Sequence, residues 1–272
     1  MSDFELVTQY DTVNLWRDGA AAKIELNRPQ SMNAWNAQLS TDLKAALGAV
    51  GPDPEVRAVC LTGDGRAFCS GADLRDVGDG GTTHNGRPDL YSSLVERYHP
   101  VMAAVRAMEK PVVSAVNGPA VGVGLSLALS ADLVIASESA YFLLAFVNIG
   151  LVPDGGSSAF VAGRVGFARA TEMAMLGERV CASDAERWGL INRTVSDADL
   201  RAEGDALTLR LAAGPTRSYA GTKRQLNAWA LAGWHDQLEL EARIQREMAA
   251  TDDFVEGVTA FMQKRPTAFS GR

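Results

Sequence analysis

Two glycine-containing turns, each placed after an apolar β-type segment, hold the groups best suited to chemistry. One follows residues 112–116 and runs through Asn117-Gly118-Pro119 into a helical pattern, and the other, Ala67 to Leu74, follows residues 56–63. Asn-Gly-Pro cannot continue a strand ladder, and the first N–H groups of a helix have no partner within it. Two such N–H groups from separate turns, aimed at one oxygen, would form an oxyanion hole.

The elements that must position these turns predict a mixed α/β core followed by helices. A β-hairpin (Val13 to Trp16 with Ala22 to Leu26), a helix (Asn36 to Val50) and strands (Val56 to Leu61 and Leu133 to Ala136) are expected from periodicity and turn residues. Two short helices follow, Ser157 to Val165 and Ala168 to Leu176. From Asp197 onward the pattern is helical, with breaks at Gly214-Pro215 and Gly233.

The region between the first turn and the second is less regular. Leu90 to Met108 predicts an amphipathic helix that is interrupted near Pro100. Val77 to Pro88 is rich in glycine and poor in apolar residues, which predicts a mobile loop. Two interpretations of that loop stay open, namely a lid over a pocket and a plain surface insertion.

Composition excludes several classes of function. The formal net charge of −7 is opposite to that of a general nucleic-acid binder. The sequence contains no apolar run of the roughly 18 residues that span a membrane, and its N-terminus lacks the order of a signal peptide. Three scattered cysteines predict a reducing cytoplasm, and with isolated histidines they predict no metal site.

Five motifs, in order along nearly the whole chain, resemble the crotonase (enoyl-CoA hydratase/isomerase) superfamily. They are LNRPQSMNAW, GRAFCSGADL, KPVVSAVNGPAVGVGLSLALSADLVIA, NIGLVPDGG and LGERVCASDAERWGLINRTV. The resemblance implies an α/β fold with a ββα spiral core over residues 1–196, which holds an acyl-CoA site. It also implies a C-terminal helical region, 197–272, through which such chains form homotrimers or dimers of trimers.

The same resemblance assigns the oxyanion hole to the backbone N–H groups of Ala72 and Val123. These would bind the carbonyl oxygen of a thioester and stabilise its enolate. Hydratases of the family use two glutamates, and the matching positions here are Ser126 and Phe146. Neither side chain ionises usefully near neutral pH, so hydration by two carboxylates is not expected.

Asp154, in the VPDGG motif, matches the aspartate base of isomerase-type members. One carboxylate suffices to move a double bond, because it can remove a proton at one carbon and return it at another. Candidate walls of an apolar acyl pocket around it are Phe142, Phe146 and Leu151, with Ser126 near the floor. The alternative interpretation is that Asp154 only caps the helix that begins near Ser157; both roles are compatible.

A CoA thioester needs cations and an adenine site. The resemblance places these near Arg28, Met32 and Ala34 and near Asp73, Leu74 and Arg75. It also implies that Phe261 and Lys264 reach the nucleotide from a neighbouring subunit. The alternative for Lys264 is a solvated helix end that the helix dipole favours.

The function expected from these residues is enoyl-CoA isomerisation, with Asp154 as proton shuttle. Two alternatives remain open, namely a hydratase of low or unusual activity and a non-catalytic acyl-CoA binder. The partner is an acyl-CoA thioester, and coenzyme A enters as part of the substrate, so we expect no permanently bound cofactor. The sequence leaves the length and ring character of the acyl group open.

Overall fold

The structure is a computed structural model that describes residues 3–76, 81–83 and 86–272. Its strands are β1 (Glu5–Gln9), β2 (Val13–Asp18), β3 (Ala21–Leu26), β4 (Ala58–Gly63), β5 (Val112–Val116), β6 (Ala120–Val121), β7 (Leu133–Ser137), β8 (Tyr141–Leu143), β9 (Val180–Cys181) and β10 (Arg193–Val195). Its α-helices are α1 (Ala37–Val50), α2 (Leu90–Ser93), α3 (His99–Ala107), α4 (Val123–Ser130), α5 (Ser157–Leu176), α6 (Ala182–Trp188), α7 (Leu200–Ala212), α8 (Thr216–Ala230), α9 (Trp234–Ala249) and α10 (Asp252–Gln263).

The larger sheet has the order β1-β2-β3-β4-β5-β7-β10 in the described residues. The hairpin of β2 and β3 is antiparallel, as predicted, and turns at Gly19, whose φ is +53°. From β3 onward the strands are parallel. Strand β5 is buried along its whole length, which explains why all of its residues except Ser114 are apolar. Strand β1, at the exposed edge, was not predicted.

A second, smaller layer of pairing brings the two glycine-containing turns together. Strands β6 and β8 are parallel, and β9 joins β8 antiparallel. Single bridges extend this layer, because Cys69 pairs with Ala120 and Trp35 pairs with Ala72. Each turn therefore passes from the main sheet into the second layer before a helix follows.

Local breaks in the helices largely follow the sequence. Asn36 caps α1 by accepting a hydrogen bond from the Leu39 N–H (2.9 Å). Gly166 has non-helical dihedrals (φ +76°, ψ 170°) inside α5, so α5 has a kink between the two predicted helical stretches. The interruption predicted near Pro100 is a π-helical turn, Leu94–Tyr98, which lies just before α3.

Half of the loop predicted at Val77 to Pro88 lies outside the described residues, which omit 77–80 and 84–85. In the remainder, Thr82 pairs with Pro88. Within the described part of the chain, none of the helices combines the length and apolar character needed to cross a membrane.

The C-terminal helices divide into two groups by what they cover. Helix α7 packs on β4 and β5, where Leu200 joins a small apolar cluster with Cys60 and Ala115. Helices α9 and α10 pack instead near α5 and residues 145–149. The division into units at 196/197 stays a prediction, and the first helix of the second unit contributes to covering the sheet.

Helix α4 packs closely against the turn Ala67 to Leu74 at Gly124. A Cβ at Gly124 would lie 2.4 Å from the Cys69 carbonyl oxygen, whereas a Cβ at exposed Gly48 in α1 would meet nothing within 4 Å. We therefore expect Gly124→Ala to lower the free energy of unfolding by about 1–3 kcal/mol through overpacking. Gly48→Ala should raise it by about 0.5–1 kcal/mol. Urea unfolding measures both, and equal effects of the two substitutions would contradict this packing.

Candidate active site

A cavity of about 620 Å³ opens where the two turns meet α9 and α10. We call it the main cavity. Its wall takes residues from the segments 30–36, 70–76, 90–98, 121–123 and 141–154, together with Arg66, Arg179, Gln245 and three residues of α10. Ala72, Val123 and Asp154 all lie in this wall. The fold therefore brings together the three residues on which the expected chemistry depends.

The N–H group of Ala72 is left without a hydrogen bond to the neighbouring segment. Its neighbours are engaged with Trp35, because the Trp35 N–H donates to the Gly71 oxygen (2.8 Å) and the Asp73 N–H donates to the Trp35 oxygen (2.9 Å). In such a bridge the N–H of the middle residue points away from the partner. The Ala72 N–H accordingly finds no acceptor among the described residues.

Val123 presents the second donor because it is the first residue of α4. Gly122 precedes it with a φ of +53°, and the Val123 N–H has no acceptor in the described part of the chain. The two turns are in contact, since the Cys69 N–H donates to the Pro119 oxygen (3.0 Å) and the Val121 N–H donates to the Cys69 oxygen (3.0 Å). Two unpaired backbone donors thus lie close together at one cavity wall, which is the arrangement an oxyanion hole requires.

Asp154 is 5% exposed, and its two carboxyl oxygens differ in environment. Oδ2 accepts a hydrogen bond from Gln245 Nε2 (2.8 Å), whereas Oδ1 has no hydrogen-bond partner among the described residues. Burial raises the pKa of Asp154 to about 8, the Gln245 hydrogen bond opposes the rise, and the charge of Glu241 adds to it. A carboxyl group with a pKa near the working pH suits both removal and return of a proton.

The alternative role of Asp154 as a helix cap is wrong. Helix α5 has Gly156 as its N-cap, and among the described residues the Asp154 carboxyl accepts no hydrogen bond from the first N–H groups of the helix. The carboxylate of Glu241, on α9, supplies the cap by accepting from the N–H groups of Gly156 (2.8 Å) and Ser158 (3.2 Å). Burial is the main cause that raises the pKa of Glu241 to about 7, against these hydrogen bonds.

The acyl-pocket residues divide into two that line the main cavity and two that do not. Phe146 and Leu151 lie in the wall. Phe142 is 0% exposed and lies outside it, and its neighbours Tyr141 and Leu143 take that place because side chains alternate along β8. Ser126 is also outside; its hydroxyl donates to the Asp154 backbone oxygen (2.7 Å) and so fixes the turn.

Most residues expected near CoA line the same cavity. Those in the wall are Met32, Ala34, Asp73, Leu74, Arg75 and Phe261. Arg28 is not in the wall; its guanidinium donates to the Ala34 oxygen and to Asp73 (3.3 Å), so it supports the segment that is. Lys264 is the exposed left-handed C-cap of α10 and also lies outside the wall. The resemblance implied that Phe261 and Lys264 reach the nucleotide of a neighbouring subunit, yet Phe261 lines the cavity of its own chain.

Sequence reasoning missed two wall residues that contact or face Asp154. Tyr98 comes from the π-helical turn, packs edge-on against Trp35 (5.3 Å between ring centroids), and has its pKa raised by burial and by the charge of Asp154. Gln245 comes from α9 and is 0% exposed. A signal for the second existed, because Gln237, Glu241 and Gln245 recur every four residues on a helix that also buries Leu238 and Ala242.

Residues 17–272 match the family model described as enoyl-CoA hydratase/isomerase. The chain belongs to the enoyl-CoA hydratase/isomerase family. Within the described residues, no group of three or more His, Cys, Asp or Glu side chains is placed to hold a metal ion.

Some relatives of this chain are named as hydratases and others as isomerases. It is 43% identical to a probable enoyl-CoA hydratase from Rhodobacter capsulatus, over 97% of this chain and 99% of that protein. It is 38% identical to the 1,2-epoxyphenylacetyl-CoA isomerase of Escherichia coli K12, over 92% of this chain and 94% of that one. A crystal structure of an enoyl-CoA hydratase from Mycobacterium avium subsp. paratuberculosis superposes with a TM-score of 0.86 at 37% identity, covering 96% of this chain and 100% of that one.

These matches confirm the crotonase-type α/β fold with C-terminal helices that the motifs predicted. They also confirm an enzyme family that acts on CoA thioesters.

The raised pKa of Asp154 predicts a pH-dependent cost to stability. The folded-state pKa is about 8, whereas that of an unfolded aspartate is about 3.9. The cost to stability therefore grows as pH rises from about 4 to about 8 and is fully present above about 8. We expect Asp154→Asn to unfold at higher urea than the wild type at about pH 9, with a gap of roughly 1 kcal/mol or more that closes towards about pH 4. Urea titrations across this range measure the gap.

Glu256→Gln is the control of opposite sign. Two hydrogen bonds from Arg265 are the main cause that lowers the pKa of Glu256 to about 2, so its charged form is the favoured one in the folded state. Its removal should reduce stability near neutral pH, with a smaller effect in acid. A gap for Asp154→Asn that is independent of pH would contradict the buried, ionisable state assigned to this carboxyl.

Proposed function

We propose that this protein shifts the double bond of an enoyl-CoA thioester through an enolate, with Asp154 as the proton shuttle. The observation that carries the proposal is that Oδ1 of buried Asp154 shares a cavity wall with the N–H groups of Ala72 and Val123, and that none of the three has a hydrogen-bond partner among the described residues. The positions of the two hydratase glutamates hold Ser126 and Phe146. One carboxylate beside an oxyanion hole is what a proton shift requires.

In the proposed reaction the thioester oxygen accepts hydrogen bonds from the Ala72 and Val123 N–H groups. Asp154 Oδ1 removes a proton from C2 of a 3-enoyl thioester, or from C4 of a 2-enoyl thioester. The negative charge then moves onto the thioester oxygen. The protonated carboxyl then returns the proton at the other end of the allylic system, so that no atom is gained or lost. Burial keeps water from quenching the enolate.

The CoA part of the substrate has a candidate site at the rim of the main cavity. Met32, Ala34 and Leu74 offer apolar surface for adenine, and Arg75 offers a cation for phosphate. Arg66, Arg97 and Arg179, which were not predicted, are further cations in the wall. Asp73 is held by Arg28 and Arg75, which lowers its pKa and limits its use as a base in the reaction.

Hydration is the second candidate, and the observation that favours it is the 43% identity to a protein named as a probable enoyl-CoA hydratase. With Asp154 as the base, hydration would have to activate water and protonate the substrate through a single carboxyl. The isomerase named among the relatives at 38% identity supports the proton shift instead.

Deuterium exchange tests the proposal directly. Incubation with a 3-enoyl-CoA in D₂O should move the double bond, and exchange of the Asp154 acid proton with solvent between removal and return should place deuterium on C4, or on C2 when the proton goes back. Asp154→Asn should reduce both by about 100-fold or more while CoA-ester affinity is retained. Mass spectrometry follows the label. Asp76→Asn, which alters another carboxylate of the same wall, is the matched control and should keep its exchange.

Each other outcome identifies a different protein. Addition of water to the double bond, lost in Asp154→Asn, would identify a hydratase. Tight binding of the CoA ester by a wild-type protein that neither moves the double bond nor exchanges protons would identify a non-catalytic acyl-CoA binder. Exchange that survives Asp154→Asn would remove Asp154 from the role proposed for it.

We also propose that the chain assembles as a homotrimer or a dimer of trimers. Large apolar side chains are exposed on α5 and α8, including Phe167 (85%) and Trp229 (84%). Sedimentation equilibrium should report three or six times the 28.9 kDa chain mass, and a monomer would contradict the assembly. The cytoplasmic location stays a prediction.

A further inference from the structure

Helix α9 presents three polar side chains to the segment that carries Asp154. Gln237 Nε2 donates to the Ser158 hydroxyl (2.8 Å), Glu241 caps α5, and Gln245 bonds to the Asp154 carboxyl. The three are spaced four residues apart, so they lie on one face of the helix. All three reach residues 152–158, which makes α9 the support of the turn in which Asp154 lies.

Gln245 has its amide fixed in one orientation. It is 0% exposed, and its Oε1 accepts a hydrogen bond from the Val152 N–H (3.3 Å). A backbone N–H can only donate, so the amide oxygen must face Val152 and the amide nitrogen must face Asp154. The hydrogen bond from Nε2 to Asp154 Oδ2 (2.8 Å) is therefore imposed by the surroundings of Gln245.

The consequence is an asymmetric carboxyl group. Oδ2 is engaged, and Oδ1, without a partner among the described residues, remains for the cavity. A donor at Oδ2 stabilises the carboxylate relative to the neutral acid, which opposes the effect of burial. Loss of this donor would release the carboxyl to rotate and would also make its charged form rarer.

We propose that Gln245 is a positioning residue: it turns Oδ1 of Asp154 towards the substrate and keeps the carboxylate form accessible. This inference rests on the proposed role of Asp154 as the proton shuttle. Gln245 acts through Asp154, because Val152 fixes the amide oxygen of Gln245 and thereby directs its amide nitrogen to Asp154.

Other charged groups around Asp154 stay unchanged when Gln245 is replaced. Glu241, on the same helix, raises the pKa of Asp154, and Tyr98, from the π-helical turn, is influenced by the Asp154 charge. Helix α4 meets the turn with Ser126, which does not titrate in this range. The remaining charges of the cavity wall are those of Arg66, Asp73, Arg75, Asp76, Arg97 and Arg179.

The test compares Gln245→Met with Gln237→Met on the full-length protein, using the proton-exchange assay. Both substitutions remove an amide that donates a 2.8 Å hydrogen bond from α9, but only the first removes the bond to Asp154. For Gln245→Met we expect kcat to fall about tenfold near pH 7, with KM within about twofold. The apparent pKa of the acid limb of its pH profile should rise by about one unit, so that activity recovers towards about pH 9.5.

Gln237→Met should keep the wild-type profile. Gln245→Asn, whose amide is one methylene too short to reach Oδ2, should shift the limb as Gln245→Met does, and circular dichroism establishes that each variant is folded. A folded Gln245 variant that loses activity equally at every pH, or an unmoved limb in both variants, would overturn the inference and leave Gln245 a structural residue.

The failure of this inference can be told from the failure of the proposed function. If Asp154→Asn abolishes exchange and the Gln245 variants keep the wild-type pH profile, only the role of Gln245 is lost. If Asp154→Asn keeps exchange, the shuttle itself is lost and the role of Gln245 with it.

Discussion

A carboxyl group removed from water with one oxygen unpaired is costly, and the site is built around that constraint. Asp154 is 5% exposed, and its Oδ1 has no partner among the described residues. Gln245 offsets part of the cost at Oδ2, and Ser126 holds the backbone of the same residue. Such an arrangement is unfavourable for stability alone, which is why an unpaired, buried acid marks a functional position.

The second constraint is the close approach of two turns. Gly71 and Gly122 both have positive φ angles (+97° and +53°), and their backbones are in contact. A side chain at either position would be strained by the positive φ, and a Cβ at Gly71 would also lie only 3.1 Å from the Val121 oxygen of the other turn. This contact places the N–H groups of Ala72 and Val123 at one wall, and Gly124 seats α4 behind them. Backbone packing, more than side-chain identity, thus determines where the proposed oxyanion hole lies.

Much of the fold could be predicted because its signals are local. Asn36 precedes an amphipathic helical pattern, Gly166 interrupts a helix, and Asn117-Gly118-Pro119 ends a strand. Each of these boundaries is therefore determined by a few neighbouring residues. Strand β1 was missed because Glu5–Gln9 is largely exposed and lacks a regular apolar face. The sequence did not reveal that Phe142 lies outside the cavity wall, because β8 has only three residues, too few to fix which face each side chain takes.

The supports of Asp154 could not be predicted in the same way. Glu241 lies 85 residues from Gly156 in sequence, and Gln245 lies 91 residues from Asp154, so only the tertiary fold makes them neighbours. Asp154 itself could be found because its motif is local. Its assignment as a cap failed because a distant residue occupies that role, a competition that local spacing does not reveal.

The most direct test of the account is a crystal structure of Asp154→Asn with a bound 3-enoyl-CoA. The account predicts the thioester oxygen within about 3 Å of both the Ala72 and Val123 nitrogens, with the carbon chain that exchanges protons about 3–3.5 Å from the side chain of residue 154. A thioester bound with its oxygen away from both N–H groups, or with residue 154 out of reach of those carbons, would contradict it.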